Sequence, residues 1–524
     1  MIKAITIENF KGISEPVRIE FKPITLLFGA NSCGKSSIIQ ALHYLREVLE
    51  FGRLDVDKTT SGGDFIDLGG FDNFVNGHDT ERQVTFTVEL HHVDNITYGW
   101  DQESRRDGSF GESLREKIQE AGEILLKFSI CKRNGEVCVD QMVINLNNSV
   151  VISRHFSDNH TVEINYINTP IPIVGVNSKS FDQLFLKIFG VPDSDLKQGY
   201  WYPIEGSDQE RFIQKRIFEP WKNLLPGYGY ASFFTVWDDE ADRIEEYAFD
   251  YAKRGVVGTI VDELRNLLYV GPLRSIPQRN YAPQKTFASS RWADGLAAWD
   301  KASYADDKKI VQVNRWLGED RLDTGYKLTA KTTVSAEHPA FEKLATAPRL
   351  SFKERQALLE NIPKERKVQL IQVKGEIEVS LCDVGVGISQ SFPVVMAALD
   401  ETAETIIIEQ PELHIHPRLQ VELGDLFIAA ANSGKCMIVE THSEHLLLRI
   451  MKRMRKYETS LDTKCDLTAQ ANSELKVTPE DVGVWFMEPH NGITIAREMT
   501  LNKRGEFVKS WPGGFFEEGL RETF

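Results

Sequence analysis

The stretch Ile24 to Ser37, reading ITLLFGANSCGKSS, constrains this chain more than any other part of it. An apolar, β-branched run suited to a buried strand leads into Gly29-Ala30-Asn31-Ser32-Cys33-Gly34-Lys35-Ser36. Ile38, Ile39, Leu42 and Leu45 then recur at helical spacing. Strand, glycine loop and helix thus follow without a break. The spacing GxxxxGK[ST] is what a phosphate cradle needs: glycines let backbone N–H groups converge, Lys35 reaches the β- and γ-phosphates, and the Ser36 hydroxyl holds Mg²⁺. Gly29, Asn31, Ser32, Cys33, Gly34, Lys35, Ser36 and Ser37 are the expected nucleotide-binding residues.

A chain of 524 residues exceeds one ordinary domain, so two or three cores, or one core with large insertions, are expected. Its 61 basic and 77 acidic residues give a net charge of −16, which argues against a surface coated in positive charge and leaves room only for a local basic groove. No signal pattern and no membrane-length apolar run is present, so a soluble, cytoplasmic protein without a membrane partner is expected. The six cysteines, Cys33, Cys131, Cys138, Cys382, Cys436 and Cys465, lack zinc-site spacing and read as reduced thiols.

The opening residues alternate in two strands with Phe10-Lys11-Gly12 as the turn, an edge hairpin feeding the loop strand. Asp64 to Phe71 is a glycine-rich connection, and Gln83 to His91 a strand. From Glu123 to Asn168 the pattern is β, with an Asn134-Gly135 hairpin signal between Cys131 and Cys138. Between Ser180 and Leu268 the periods read as helical, in LFLKIF, FIQKRIFEPWKNLL and IVDELRNLL, and Ala340 to Arg366 reads as a second helical insertion. No sustained heptad predicts a coiled-coil arm. Arg274 and Arg279, after a strand at Tyr269-Val270, suit either a phosphate contact or a surface salt bridge.

A second constellation lies downstream. Thr405-Ile406-Ile407-Ile408-Glu409 is an apolar run ending in a carboxylate, where a parallel sheet would offer a second Mg²⁺ ligand. Cys436 to Val439 ends in Glu440-Thr441-His442-Ser443, which puts His442 beside the same sheet edge as a candidate bond to the γ-phosphate. Asp383 to Gln390, DVGVGISQ, is a glycine-serine turn opening an apolar helix and forms another anion site. One cradle already serves the loop's phosphates, so this turn would reach the nucleotide of a second subunit.

In that order, GANSCGKS, DVGVGISQS, IIIEQPELHIHP and VETHSEH resemble the SMC-like ABC ATPases, specifically the group of RecF-type, OLD-type and related AAA ATPases. The resemblance implies an α/β fold: an ABC-type P-loop ATPase head with a mainly parallel core sheet, an antiparallel β lobe and helical insertions. It implies ATP and Mg²⁺ as cofactors and a homodimer or higher homo-oligomer whose heads sandwich ATP. By position, Lys35 and Ser36 match the Walker A residues and Glu409 the Walker B acid, with His442 as the switch histidine. Gly385, Gly387, Ser389 and Gln390 match the signature. The implied organisation is 1–95 for the first part of the head, 96–265 for a β-rich then helical insertion, and 266–338 for a return to the head. A helical insertion at 339–368, the rest of the head at 369–455 and a cap at 456–524 complete it. The tail, VGVWFMEP and then Trp511-Pro512-Gly513-Gly514-Phe515-Phe516, resembles defence-associated ATPases such as PtuA of the Septu anti-phage system, which is paired with an HNH nuclease.

Two departures matter. Gln410 stands where many ABC ATPases carry a catalytic glutamate; an amide can orient water but is no base at neutral pH, so slow turnover, or ATP as a dimer-locking ligand, is expected. OLD-type nucleases carry a Toprim domain with a late Asp-x-Asp, and no such pair follows His442, so intrinsic nuclease activity is not expected. The implied function is an ATPase that regulates a separate nuclease subunit in phage defence. The alternatives are a RecF-like repair ATPase that clamps DNA and a non-hydrolysing nucleotide-sensing scaffold.

Overall fold

A computed structural model describes residues 2–90, 122–133, 135–147, 149–156, 162–166, 212–216, 256–279, 281–334, 338–347, 349–362, 364–462, 475–490 and 492–512. The chain opens with β1 (Ile2–Glu8), β2 (Val17–Glu20), β3 (Ile24–Gly29), α1 (Lys35–Phe51), β4 (Lys58–Thr59), β5 (Gly63–Asp67) and β6 (Val84–Leu90). Next come β7 (Ile124–Arg133), β8 (Glu136–Leu146), β9 (Ser149–Phe156), β10 (Val162–Tyr166), β11 (Phe212–Arg216) and β12 (Leu267–Val270). Then follow β13 (Tyr326–Val334), β14 (Lys364–Gln372), β15 (Ile377–Val379), β16 (Thr405–Glu409), β17 (Cys436–Glu440), β18 (Val482–His490) and β19 (Ile493–Glu498). Two compact units result: Met1–Leu267 with Glu480–Thr500 and Phe507–Trp511, and Leu268–Pro479 with Leu501–Glu506 and Pro512–Phe524.

In the first unit, eight strands in the order β11-β10-β9-β8-β7-β6-β1-β2 form an antiparallel sheet. The expected hairpin lies at its edge, closed by reciprocal bonds between the Phe10 and Ile13 backbones. Val84, Phe86 and Val88 alternate inward along β6, so that the apolar period of two fixes which face is buried. Phe10, Tyr44, Phe74 and Phe86 make one aromatic cluster with ring centroids 4.7–6.0 Å apart, fastening α1 to this sheet. Each such ring pair contributes about 0.5–1.5 kcal/mol beyond area burial. Cys131 and Cys138 face each other across the β7–β8 hairpin as free thiols, Sγ atoms 3.7 Å apart. Cys33, Cys382 and Cys436 are also free, and Cys465 lies outside the described residues.

The helical expectation for Ser180 to Leu268 holds at 256–265, which takes in the first six residues of IVDELRNLL, and fails at Leu267 and Leu268, which open β12. It fails at Phe212–Arg216, which is strand β11 paired antiparallel with β10. Five residues with bulky groups at both odd and even positions satisfy either period, and the available sheet edge decides. LFLKIF and most of the rest of that segment lie outside the described residues.

Also in the first unit, β3 is buried throughout and pairs parallel with β18, Leu26 opposite Val484 and Gly29 opposite Met487. On its other edge β18 carries β19, antiparallel. Ile38, Ile39, Leu42, Leu45, Val48 and Leu49 form the buried face of α1, and Gly52 ends that helix in the left-handed conformation, φ 66°.

In the second unit β12, β16 and β17 lie in that order, β16 and β17 parallel with Glu409 opposite Glu440. Ile406, Ile407, Ile408, Met437 and Val439 are fully buried. Helix Pro417–Asn432 packs on helix Glu444–Asp462 at Gly424, whose absent Cβ would lie 3.0 Å from the Leu446 carbonyl. Asp425 ties the same pair, accepting from Arg449 and Arg453, with Arg321 at 3.6 Å. The second insertion is helical at Pro339–Thr346 and Phe352–Asn361, the latter opened by a Ser351–Glu354 capping box. Its expected extension to Arg366 is overturned: β14 begins at Lys364 and pairs with β13 along its length, because an extended partner satisfies the backbone there. The fold is thus α/β, with parallel pairing around β3 and β16, an antiparallel lobe and helical insertions, as expected for an ABC-type ATPase head. No helix among the described residues is long and apolar enough to cross a membrane.

Candidate nucleotide site

The loop between β3 and α1 belongs to the first unit. Gly29 and Gly34 take φ of 145° and 95°, and Ser32 takes 60°, so the backbone turns back between strand and helix where side chains at the glycines would not fit. A Cβ on Gly29 would lie 2.2 Å from the Met487 carbonyl and 2.6 Å from the Cys33 Sγ. The Cys33 side chain is buried against the loop, while Asn31 and Ser32 are exposed and Ser36 is half-buried. The Lys35 ammonium, 4% exposed, donates to the Gly29 carbonyl at 3.1 Å and the Ala30 carbonyl at 2.8 Å. A cation curled inside its own loop at a helix N-terminus fits the polyphosphate of a nucleotide, which would offer it stronger acceptors than two carbonyls. Ser37, buried, closes the first turn by donating its N–H to the Gly34 carbonyl.

Glu409, Gln410, His442 and the glycine-serine turn belong to the second unit. Glu409 is 9% exposed at the end of β16, and its Oε1 accepts from the Tyr269 hydroxyl at 2.8 Å. Gln410 follows in the left-handed region, φ 45°, its N–H donating to the Glu440 carbonyl at 2.8 Å. His442 is positioned by Glu412, whose Oε1 accepts the His442 N–H at 2.6 Å and whose Oε2 accepts the Thr441 hydroxyl at 2.8 Å. Burial pushes the Glu412 carboxyl up from its ordinary value. Ser443 is pinned by donating to the Gln420 Oε1 at 2.8 Å. Glu409, Glu412, Glu440 and Thr441 thus gather at the ends of two adjacent parallel strands, and His442 is the second residue after β17.

At the turn, Gly385 and Val386 are exposed whereas Ser389 is fully buried, its hydroxyl donating to the Gly385 carbonyl at 3.4 Å, and Gln390 is 5% exposed. Gly387 lies beside the His414 carbonyl, which a Cβ there would meet in ordinary contact at 3.6 Å. Helix Val386–Ala398 holds the turn by stacking Phe392 on Trp299, centroids 3.9 Å apart. The two arginines separate: Arg279 is exposed and pairs with Asp383 at 2.7 Å, whereas Arg274 is 4% exposed and donates to the Glu409 carbonyl at 2.6 Å. Arg274 thus does not make a surface salt bridge, whereas Arg279 does. Burial lowers its guanidinium to about 10, so it stays charged at neutral pH. Tyr269, Glu412 and the Arg274 interactions escaped the sequence reading; an acid three residues after the strand acid was the one visible signal, for Glu412.

The family described as AAA ATPase domain matches residues 1–235 and 307–447. The chain belongs to the AAA ATPase domain family. Within this AAA ATPase the matched segments carry the glycine loop, the glycine-serine turn, Glu409, Gln410 and His442, while Arg274 lies between them. Among solved structures, the AAA ATPase is similar to an SMC head bound to the C-winged helix domain of ScpA, at 10% identity and TM-score 0.37, over 95% of this chain and 98% of that one. It is similar to the SMC head domain from Thermotoga maritima, at 10% and 0.35 over 95% and 99%. A third is the SMC head domain with an extended coiled coil, bound to the C-terminal domain of ScpA derived from Pyrococcus furiosus, at 10% and 0.35 over 100% and 98%. No curated protein matches the chain.

Among the described residues no three His, Cys, Asp or Glu side chains converge as a metal cluster. A serine hydroxyl and a carboxylate are each hard oxygen donors of the kind Mg²⁺ takes, an ion that needs few protein ligands and completes its shell with water and phosphate oxygens.

Proposed function

We propose that this AAA ATPase is an SMC-like head that binds ATP and Mg²⁺, dimerises on nucleotide, and serves as the regulatory subunit of an anti-phage complex, holding a separate nuclease of HNH type. The observation that carries the nucleotide reading is the Lys35 ammonium, buried and held by the carbonyls of its own loop between two left-handed glycines. Ser36 and Glu409 would hold Mg²⁺, which neutralises charge on the phosphate oxygens. Lys35 binds the phosphates, Gln410 orients water, and His442, fixed by Glu412, reaches for the terminal phosphate. Gly385 and Val386, exposed at the head of their helix, are the parts of the signature turn free to meet the nucleotide of a second copy. The nuclease role rests on the resemblance of the motifs and tail.

The test is co-expression of the full chain with its genomic neighbours, affinity capture with ATP, and mass spectrometry against a Lys35→Ala control. Recovery of a small nuclease that is lost in the control is the expected result. Capture of no nuclease, with DNA-stimulated ATP turnover by the purified chain, would replace this reading with a DNA-clamping repair ATPase. Tight ATP binding without turnover in the presence of both DNA and partner would leave a sensing scaffold.

A further inference from the structure

Arg274 and Gln390 do something that their solvent-hidden positions alone do not require. The Arg274 Nη2 donates to the Glu409 carbonyl at 2.6 Å, and Nη1 and Nη2 each reach the Gln410 carbonyl at 3.3 Å. Its Nε is buried without a hydrogen-bond partner among the described residues, so these two carbonyls alone hold the guanidinium by hydrogen bonds. They belong to the two peptides on either side of the Gln410 Cα, which stands at φ 45°, a backbone state that an L side chain rarely adopts and that a surrounding framework must impose. At its other end Arg274 is gripped by a helix. The Gln390 Nε2 donates to the Arg274 carbonyl at 2.7 Å, and the Arg274 N–H donates back to the Gln390 Oε1 at 3.4 Å. Gly295 covers this grip: a Cβ there would lie 3.0 Å from Pro393 of the same helix and 3.1 Å from the Arg274 Cβ. The helix that begins at the glycine-serine turn therefore bears on Arg274, and Arg274 bears on the turn that presents Gln410.

We propose that Arg274 is a positioning residue whose forked guanidinium sets the Gln410 backbone, and that Gln390 makes this setting depend on the helix Val386–Ala398. The inference rests on the reading of Gln410 as the water-orienting residue, and it gives Gln390 a role within its own subunit. Engagement of the exposed Gly385–Val386 turn by the nucleotide of a second copy would press on the helix, shift Arg274, and align Gln410. A planar fork spans two carbonyls where a single ammonium reaches one, so lysine does not substitute.

The experiment pairs amide hydrogen exchange with steady-state ATP turnover on the full chain, wild type against Gln390→Leu, Arg274→Lys and Arg274→Gln. Gln390→Leu is expected to speed exchange at the Glu412–Ile415 amides about tenfold and to lower kcat roughly 10- to 100-fold, with KM within about twofold. Arg274→Lys should recover only a minor part of what Arg274→Gln loses. Unaltered exchange over Glu412–Ile415 in a folded Gln390→Leu chain overturns the relay, as does full activity of Arg274→Lys. A kcat that falls only in step with the melting temperature assigns both residues to stability alone and also overturns it. If Gln390→Leu does not fold, Arg274→Lys read by exchange at the same amides decides. A wild-type chain that shows the exchange coupling but turns over no ATP keeps the relay and removes the catalytic reading of Gln410.

Discussion

At Gln410 a carboxylate in place of the amide would add a proton acceptor without changing side-chain length. Gln410→Glu is therefore expected to raise ATP turnover about a hundredfold or more, measured by phosphate release with dimer assembly checked alongside. Equal rates with assembly intact would show that water activation does not limit the reaction. Asp425 supports a second residue-level expectation. Burial alone would raise its carboxyl, but the hydrogen bonds from Arg453 and Arg449 outweigh that and hold it below the ordinary 3.8. A depressed native value means that the stabilisation is fully present above the ordinary value and is lost as pH falls through the native one. Asp425→Asn should cost about 3–5 kcal/mol at pH 7, because three arginines lose their shared carboxylate, and the gap to wild type should close in acid. Urea unfolding across pH checks both. The places of Lys35, Glu409 and His442 were legible from sequence, because each follows a strand or a glycine loop, and the structure puts Lys35 at the start of α1 and the other two at or just past the ends of β16 and β17. Arg274 was not, because its partners are carbonyls 135 and 136 positions away, and carbonyls leave no trace in residue type.

The elements were legible where length and period agree. β3 and β16 read as buried strands, and α1 as a helix with one apolar face, and each is so. Phe212–Arg216 and the three residues Lys364–Arg366 are strand where the apolar period reads as helix, because pairing with β10 and β13 decides them. β3 also sets the element-level prediction. Gly29→Ala would push a Cβ to 2.2 Å from the Met487 carbonyl on β18 at a φ of 145°, so β3 and β18 must part. A loss of about 1–3 kcal/mol in chemical denaturation is expected, together with weaker nucleotide binding. Ile407→Ala, in the centre of β16 and fully buried, should cost about 2–5 kcal/mol by the cavity it leaves. Retained stability in either variant would mean that the strand relaxes where the structure holds it fixed.

For the whole molecule, the sandwich reading makes mass a function of nucleotide. Sedimentation of the full chain with saturating ATP should show a doubled mass that Lys35→Ala abolishes; a mass unchanged by ATP would remove dimerisation from the proposal. The net charge of −16 sets a companion expectation, that DNA binding contributes little at physiological salt, read from the salt slope of any affinity found. Family membership was legible from four short motifs in order, but the way distant segments share a sheet was not, since local pattern does not encode a partner. β3 is made long before its wall. Its neighbour β18 lies far along the chain, the Trp485 indole reaches back 465 positions to the Glu20 carbonyl, and Trp511 meets Phe28 edge-on at 5.5 Å. At about 5–20 residues per second, roughly 20–90 s of translation separates the glycine loop from the strand that walls it. A nascent chain thus lacks the Met487 wall of its glycine loop until β18 has left the ribosome, so a product stalled or truncated before that strand is expected to hold nucleotide more weakly than the full chain.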